Sequence, residues 1–176
     1  MLTDRPLDPF AKESPEASDI CDQRLVDLLR YWQDLRARSP GGDLPSVPAI
    51  DPLPLRFILG WLMIVDPVDG GADFRYRLYG SAIAEVMGRD LTGCRISDSF
   101  PHFAAWTAQI YRDAMVHRHP MLTRHTPRRY VAVEQWERLI LPFAGLDGAV
   151  AWFLVGAVVL RRVQGAVSIP VPWPLR

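Results

Sequence analysis

The string Gly88-Arg89-Asp90-Leu91-Thr92-Gly93 could do chemistry as a phosphate-cradling loop. Such loops aim several backbone N–H groups from a helix N-terminus and usually add a lysine. Here Gly88 closes a short helical pattern and no lysine follows. Two tight turns, with Asp90 or Thr92 bonding local backbone, account for it better. A second cluster holds His117, His119 and His125, with His102 upstream. Residues 117 and 119 would share one face of a strand, as metal ligands often do. Against that, Pro120 interrupts the segment, no Cys or carboxylate adjoins it, and Arg118, Arg124, Arg128 and Arg129 would repel a cation. A solvated basic surface or edge strand is expected instead, and no metal. The same arginines offer at most a contact for an acidic partner or a nucleotide phosphate.

For catalysis, Glu134 and Glu137 lie on one expected strand with odd spacing, so they point to opposite faces. No nucleophile-elbow string and no Cys–His signature is present. Asp98 and His102 are the one pair to nominate for an acid–base enzyme on a small isomerase-like α+β cone. No catalytic set is assigned, and a binding role is preferred.

The composition sets the frame for these groups. Hydrophobic residues make up 49% of the 176-residue chain, enough for one domain with a real core. Lys+Arg and Asp+Glu are both 20, which argues against a general nucleic-acid binder. Cys21 and Cys94 fit no metal or redox spacing, and Met1 to Glu16 has no apolar h-region. A cytoplasmic, reduced protein is the expectation. The apolar run Ala149 to Leu160 falls well short of the roughly 20 residues that cross a bilayer, and its Val, Phe, Trp and Leu content suits a buried strand.

The elements that must position these residues follow from periodicity. Residues 1–18, with Pro6, Pro9 and Pro15, read as a flexible N-terminus. Residues 19–38 read as an amphipathic helix, capped by Ser18 or Asp19, with Leu25, Leu28, Leu29, Trp32 and Leu35 on one stripe. Residues 39–60 form a Pro-rich connector. Trp61 to Val65 is then a strand ended by Asp66-Pro67, and Asp69-Gly70-Gly71 supplies a hairpin turn. In the next strand Phe74, Tyr76 and Leu78 alternate with Arg75, Arg77 and Tyr79. A short helix over Ala82 to Met87, a helix from Pro101 to His117, and strands at Met121–Thr126, Val131–Phe143 and Ala149–Leu160 complete the domain. Asp147-Gly148 turns the last pair, and the Pro-rich tail 163–176 should be extended. The order predicts an α+β fold: an antiparallel five-stranded sheet with a helical crossover on one face and an N-terminal amphipathic helix.

That order, together with Tyr76-Arg77-Leu78-Tyr79-Gly80-Ser81-Ala82-Ile83 and the Gly88–Gly93 string, resembles a bacterial PAS-like family. Tyr31-Trp32-Gln33-Asp34-Leu35-Arg36, Asp51-Pro52-Leu53, and Leu141-Pro142-Phe143 with Asp147-Gly148 add to the likeness, over residues 25 to 162. The resemblance implies a PAS-like domain at 61–162 acting as a sensory or protein-interaction module. It leaves the cofactor unassigned, haem on one histidine being a remote option in the absence of a haem motif.

A PAS-type ligand cavity would lie between sheet and crossover helices. Tyr79, Ile83, Met87, Phe103, Trp106 and Ile110, with Leu139 and Leu141 from the sheet, are expected to line it. The same residue types would equally serve a filled core in a structural interaction domain. Leu25, Leu28, Leu29 and Trp32 would either cap the chain's own sheet or pair with a second copy, and a homodimer is preferred. With no kinase, DNA-binding or transmitter pattern after Arg162, the signal is expected to leave through a partner protein.

Overall fold

The computed structural model describes residues 10–40, 44–46, 51–99, 101–126 and 133–162. The tail 163–176, residues 1–9, and Arg128 and Arg129 lie outside the described residues.

The Asp69–Gly71 turn joins β2 (Leu62–Val68) to β3 (Asp73–Tyr79), with φ of 51°, 68° and 88° at its three residues. Two glycines supply most of that left-handed backbone without a Cβ clash. β2 continues through Pro67, beyond the expected end, because past Val65 its one remaining neighbour is β3. An edge position tolerates the missing proline N–H. α2 (Ser81–Met87), α3 (Ile96–Ser99) and α4 (Pro101–His117) form the crossover. β4 (Met121–His125), β5 (Val133–Ala144) and β6 (Val150–Arg162) follow as antiparallel neighbours. The apolar run of β6 forms inner ladders with both β5 and β2, as its sequence predicts.

The sheet has six strands rather than five, in the order β1 (Phe10–Glu13), β4, β5, β6, β2, β3. The additional β1 comes from the segment expected to be flexible and pairs with β4. β4 is therefore an inner strand, not an edge.

Both faces of the sheet are covered. On one, α2, α3 and α4 pack over Met63, Val65, Phe74, Tyr76, Ile140 and Phe153. On the other, α1 (Gln23–Ala37) lays Leu25, Leu28, Leu29 and Trp32 onto Leu139, Leu141, Phe143 and Leu154. Those four helix side chains are 0–2% exposed in a single chain. The stripe expected to favour a dimer thus caps its own sheet, because burying each such side chain contributes about 1.5–3 kcal/mol and the nearest apolar surface is intramolecular. α1 sits closest over Gly156 of β6, where a Cβ would lie 2.6 Å from Leu25 Cδ2 and 2.7 Å from Leu28 Cδ2.

The start of α1 is tied down by charge. Asp22, not Ser18 or Asp19, is the N-cap, its carboxylate accepting from Arg24 N at 2.9 Å. Glu137 of β5 is fully buried and accepts from the backbone N–H of Cys21 and of Asp22, each at 3.0 Å. The same carboxylate takes Arg124 Nε at 2.9 Å, and Arg124 also donates to the carbonyl of Asp19. The Trp32 indole N–H closes the far end on the Pro142 carbonyl at 2.9 Å.

Candidate functional site

The Gly88–Gly93 string folds as turn chemistry. Gly88 ends α2 in the left-handed region, and the Asp90 carboxylate accepts from both the N–H and the hydroxyl of Thr92. The Thr92 hydroxyl is the main cause of a lowered Asp90 pKa. The loop then clips onto β3: Gly93 N–H donates to the Tyr76 carbonyl at 2.7 Å, and Tyr76 N–H donates to the Cys94 carbonyl at 3.1 Å. This clip holds Tyr76 beside a β-bulge, where the register steps from Ile64/Leu78 to Val65/Tyr76 and leaves Arg77 unpaired in the ladder. The bulge turns Tyr79 inward, to 8% exposure, and Leu78 outward, to 43%, the reverse of strict alternation. Tyr76 and Tyr79 meet edge-on, ring centroids 5.2 Å apart.

Of the expected cavity residues, Tyr79, Ile83, Met87 and Ile110 are brought together in the core beneath the crossover. Trp106 packs at its margin, and Phe103 joins Trp106, centroids 4.7 Å apart. Leu139 and Leu141 are not part of this group. They face α1 on the opposite side, while Trp136, Arg138 and Ile140 point towards α4. β5 is covered on both faces, so its period of two separates the sets without saying which helix each meets.

Sequence reasoning missed the polar residues of this face. Arg138 is 6% exposed, with its guanidinium 5.8 Å from the Trp106 ring and 5.7 Å from the Tyr111 ring. Its Nε donates to Thr123 Oγ1 at 3.2 Å, but its Nη2 has no hydrogen-bond partner among the described residues. The buried Tyr111 hydroxyl and the enclosed His125 Nδ1 also lack partners there. His125 is half-buried, its ring against Phe103 at 4.9 Å and Trp106 at 6.1 Å. The expected solvated surface does not describe it. Glu137 and Arg138, adjacent charges on one strand, were the available signal: period two puts one of them under each layer of helices.

Burial sets the protonation of the group. It pushes Tyr76 up to about 12, holds Tyr79 well above the usual phenol range, and raises Tyr111 in the same direction. Burial first, then the Arg138 charge, drives His125 down to about 3. At neutral pH the tyrosines and His125 are uncharged around a charged Arg138.

The remaining candidates scatter. His117 pairs with Glu13 at 3.0 Å, and His119 borders a groove between α1 and the segment Ser14–Ala17. That groove, about 550 Å³, carries none of the unpartnered buried polar atoms found among the described residues. Asp98 is exposed, and the side chains of His102 and Glu134 lie outside the described residues. The described residues contain no group of three or more His, Cys, Asp or Glu able to hold a metal ion. Cys21 and Cys94 are free thiols. Among the described residues no helix is long and apolar enough to cross a membrane.

Comparison with known proteins bears on this arrangement. No curated protein matches the chain. Among solved structures, "Structure of an RNA-binding Light-Oxygen-Voltage Receptor" aligns at 14% identity with a TM-score of 0.44, covering 82% of this chain and 56% of that one. A family profile described as PAS domain matches residues 22–158, which spans α1, the crossover and nearly all of the sheet. The chain belongs to the PAS domain family.

Proposed function

We propose that this chain is a sensory module that binds a small molecule between its sheet and the crossover helices and hands the signal to a partner protein. One observation carries the reading. Arg138 Nη2, Tyr111 Oη and His125 Nδ1 are enclosed polar atoms with unused hydrogen-bonding capacity on the face where a PAS-type cavity would lie. Buried polar groups in folded proteins are otherwise almost always satisfied. A filled structural core gains nothing from three such groups, since each costs free energy unless something completes its bonds. An acid–base enzyme is the weaker reading: Asp98 is exposed to water rather than buried beside a cavity.

The test is to purify the full chain, denature it, and identify released small molecules by mass spectrometry, alongside a thermal-shift screen of metabolites. A stoichiometric released compound, or a saturable rise in Tm that Trp106→Ala abolishes, is the expected result. A clean apo mass together with a flat screen would count against ligand sensing and favour a structural interaction domain.

A further inference from the structure

We propose that Arg138 anchors a small organic carboxylate, held between β4–β5 and α4 behind the wall formed by Phe103, Trp106 and His125. This rests on the ligand-binding reading above and names the chemistry of the ligand.

A guanidinium stays protonated in proteins, so Arg138 carries its charge at 6% exposure. Among the described residues it has no carboxylate partner: its contacts are Thr123 Oγ1 and the faces of Trp106 and Tyr111. Ring faces attract a cation but do not occupy its N–H donors. The same fold shows what a completed buried charge looks like one residue earlier. Glu137, at 0% exposure, receives two backbone N–H groups and Arg124. Arg138 has no such completion among the described residues, and a buried charge without a counter-ion is strongly disfavoured.

The surroundings then select the ion. A planar carboxylate matches guanidinium geometry and brings one negative charge to one positive charge. Its second oxygen suits the unpartnered Tyr111 hydroxyl, which is held protonated by burial and can donate. His125 is neutral, with its enclosed Nδ1 unpartnered and its ring against Phe103 and Trp106. Phe103, Trp106 and the His125 ring, mutually 4.7–6.1 Å apart, offer π-faces to a flat apolar body. Phe103 and Trp106 are half-buried, so outward rotation of these two rings gives the entry path. Inorganic phosphate fits worse, because it carries more charge and no apolar body.

The experiment titrates the full chain by calorimetry with acetate, benzoate and 2-naphthoate, each against its neutral amide, and with inorganic phosphate. Wild type, Arg138→Met and Tyr111→Phe are compared, with circular dichroism as the check on folding. Wild type should bind benzoate or naphthoate at least about tenfold more tightly than the amide, as a charge-assisted hydrogen bond implies. Arg138→Met should erase the preference, and Tyr111→Phe should weaken the acid several-fold while leaving the amide unchanged. Equal binding of acid and amide, phosphate binding as tight as benzoate, or a preference that survives Arg138→Met overturns the carboxylate assignment while leaving ligand sensing intact. If neither acids nor amides bind and denatured protein releases no small molecule, both readings fail together. Should Arg138→Met not fold, the wild-type acid–amide comparison and Tyr111→Phe decide the question.

Discussion

Replacing Glu137 with alanine tests how the N-terminal helix is held. The carboxylate has no exposure and is hydrogen-bonded by three donors, Cys21 N–H, Asp22 N–H and Arg124 Nε, at 2.9–3.1 Å. Glu137→Ala leaves two amides at the entrance to α1 without an acceptor and Arg124 without its counter-charge. Breaking a buried ion pair from one side costs roughly 3–5 kcal/mol. The Arg124 side chain is 22% exposed, so water recovers part of its solvation and the loss belongs at the lower end, about 3 kcal/mol. Urea denaturation of wild type and variant measures the global term. Hydrogen exchange over residues 23–37 shows whether α1 opens alone, in which case its amides should exchange roughly a hundredfold faster while β6 keeps its protection. Adding Arg124→Met should recover part of the stability, since the uncompensated cation is then gone. A Glu137→Ala loss below about 1 kcal/mol, with exchange in α1 unchanged, would refute the role assigned to this carboxylate.

Three further outcomes follow from the packing and protonation. His125 has its pKa pushed down to about 3 in the fold against 6.5 in the unfolded chain. Between those values the unfolded state binds the extra proton, so stability falls as pH drops, by up to about 1.4 kcal/mol per unit. His125→Phe should flatten that part of the profile, and an identical pH dependence in both proteins would disprove it. Gly156→Ala pushes a methyl against the flexible ends of Leu25 and Leu28 and should cost about 1–3 kcal/mol by overpacking, readable as a lowered urea midpoint. A neutral Gly156→Val would contradict the close approach of α1. Leu28→Ala should cost about 2–5 kcal/mol through the cavity it leaves, with the sedimentation coefficient of the folded protein unaltered. A smaller assembly at native stability would instead show that the helix stripe joins two chains.

Local grammar made much of this fold legible. The Asp69-Gly70-Gly71 turn, the α1 stripe and the apolar run of β6 each carry a period or a breaker that few alternatives satisfy. What stayed hidden depends on contacts distant in sequence. β1 is a short segment whose partner, β4, lies more than a hundred residues on, as Phe10 opposite Arg124 shows. The inward turn of Tyr79 arises from a bulge next to the Tyr76 backbone that the Gly88–Gly93 loop grips, and strict alternation cannot express it. Leu139 and Leu141 are apolar, and so are Trp136 and Ile140, so hydrophobicity could not say which set meets the crossover. The candidate site was legible in its aromatic residues and hidden in its charge. Arg138 sits in a sequence neighbourhood of charges that all look solvated until the sheet is covered on both sides.

Glu137 and Arg138 occupy successive positions of β5, the one gripping the entrance of α1 and the other facing α4. Seen end-on, that strand is a lever with its fulcrum at a single peptide unit. A small roll that seats one side chain deeper lifts the other by a comparable amount, because their Cβ atoms leave the backbone in opposite directions. Under the proposed function, a ligand on the Arg138 side would have a mechanical route to α1 one residue long. It needs no hinge between domains and no chain threaded through the sheet, and under the same proposal the surface of α1 is where a partner protein would read it.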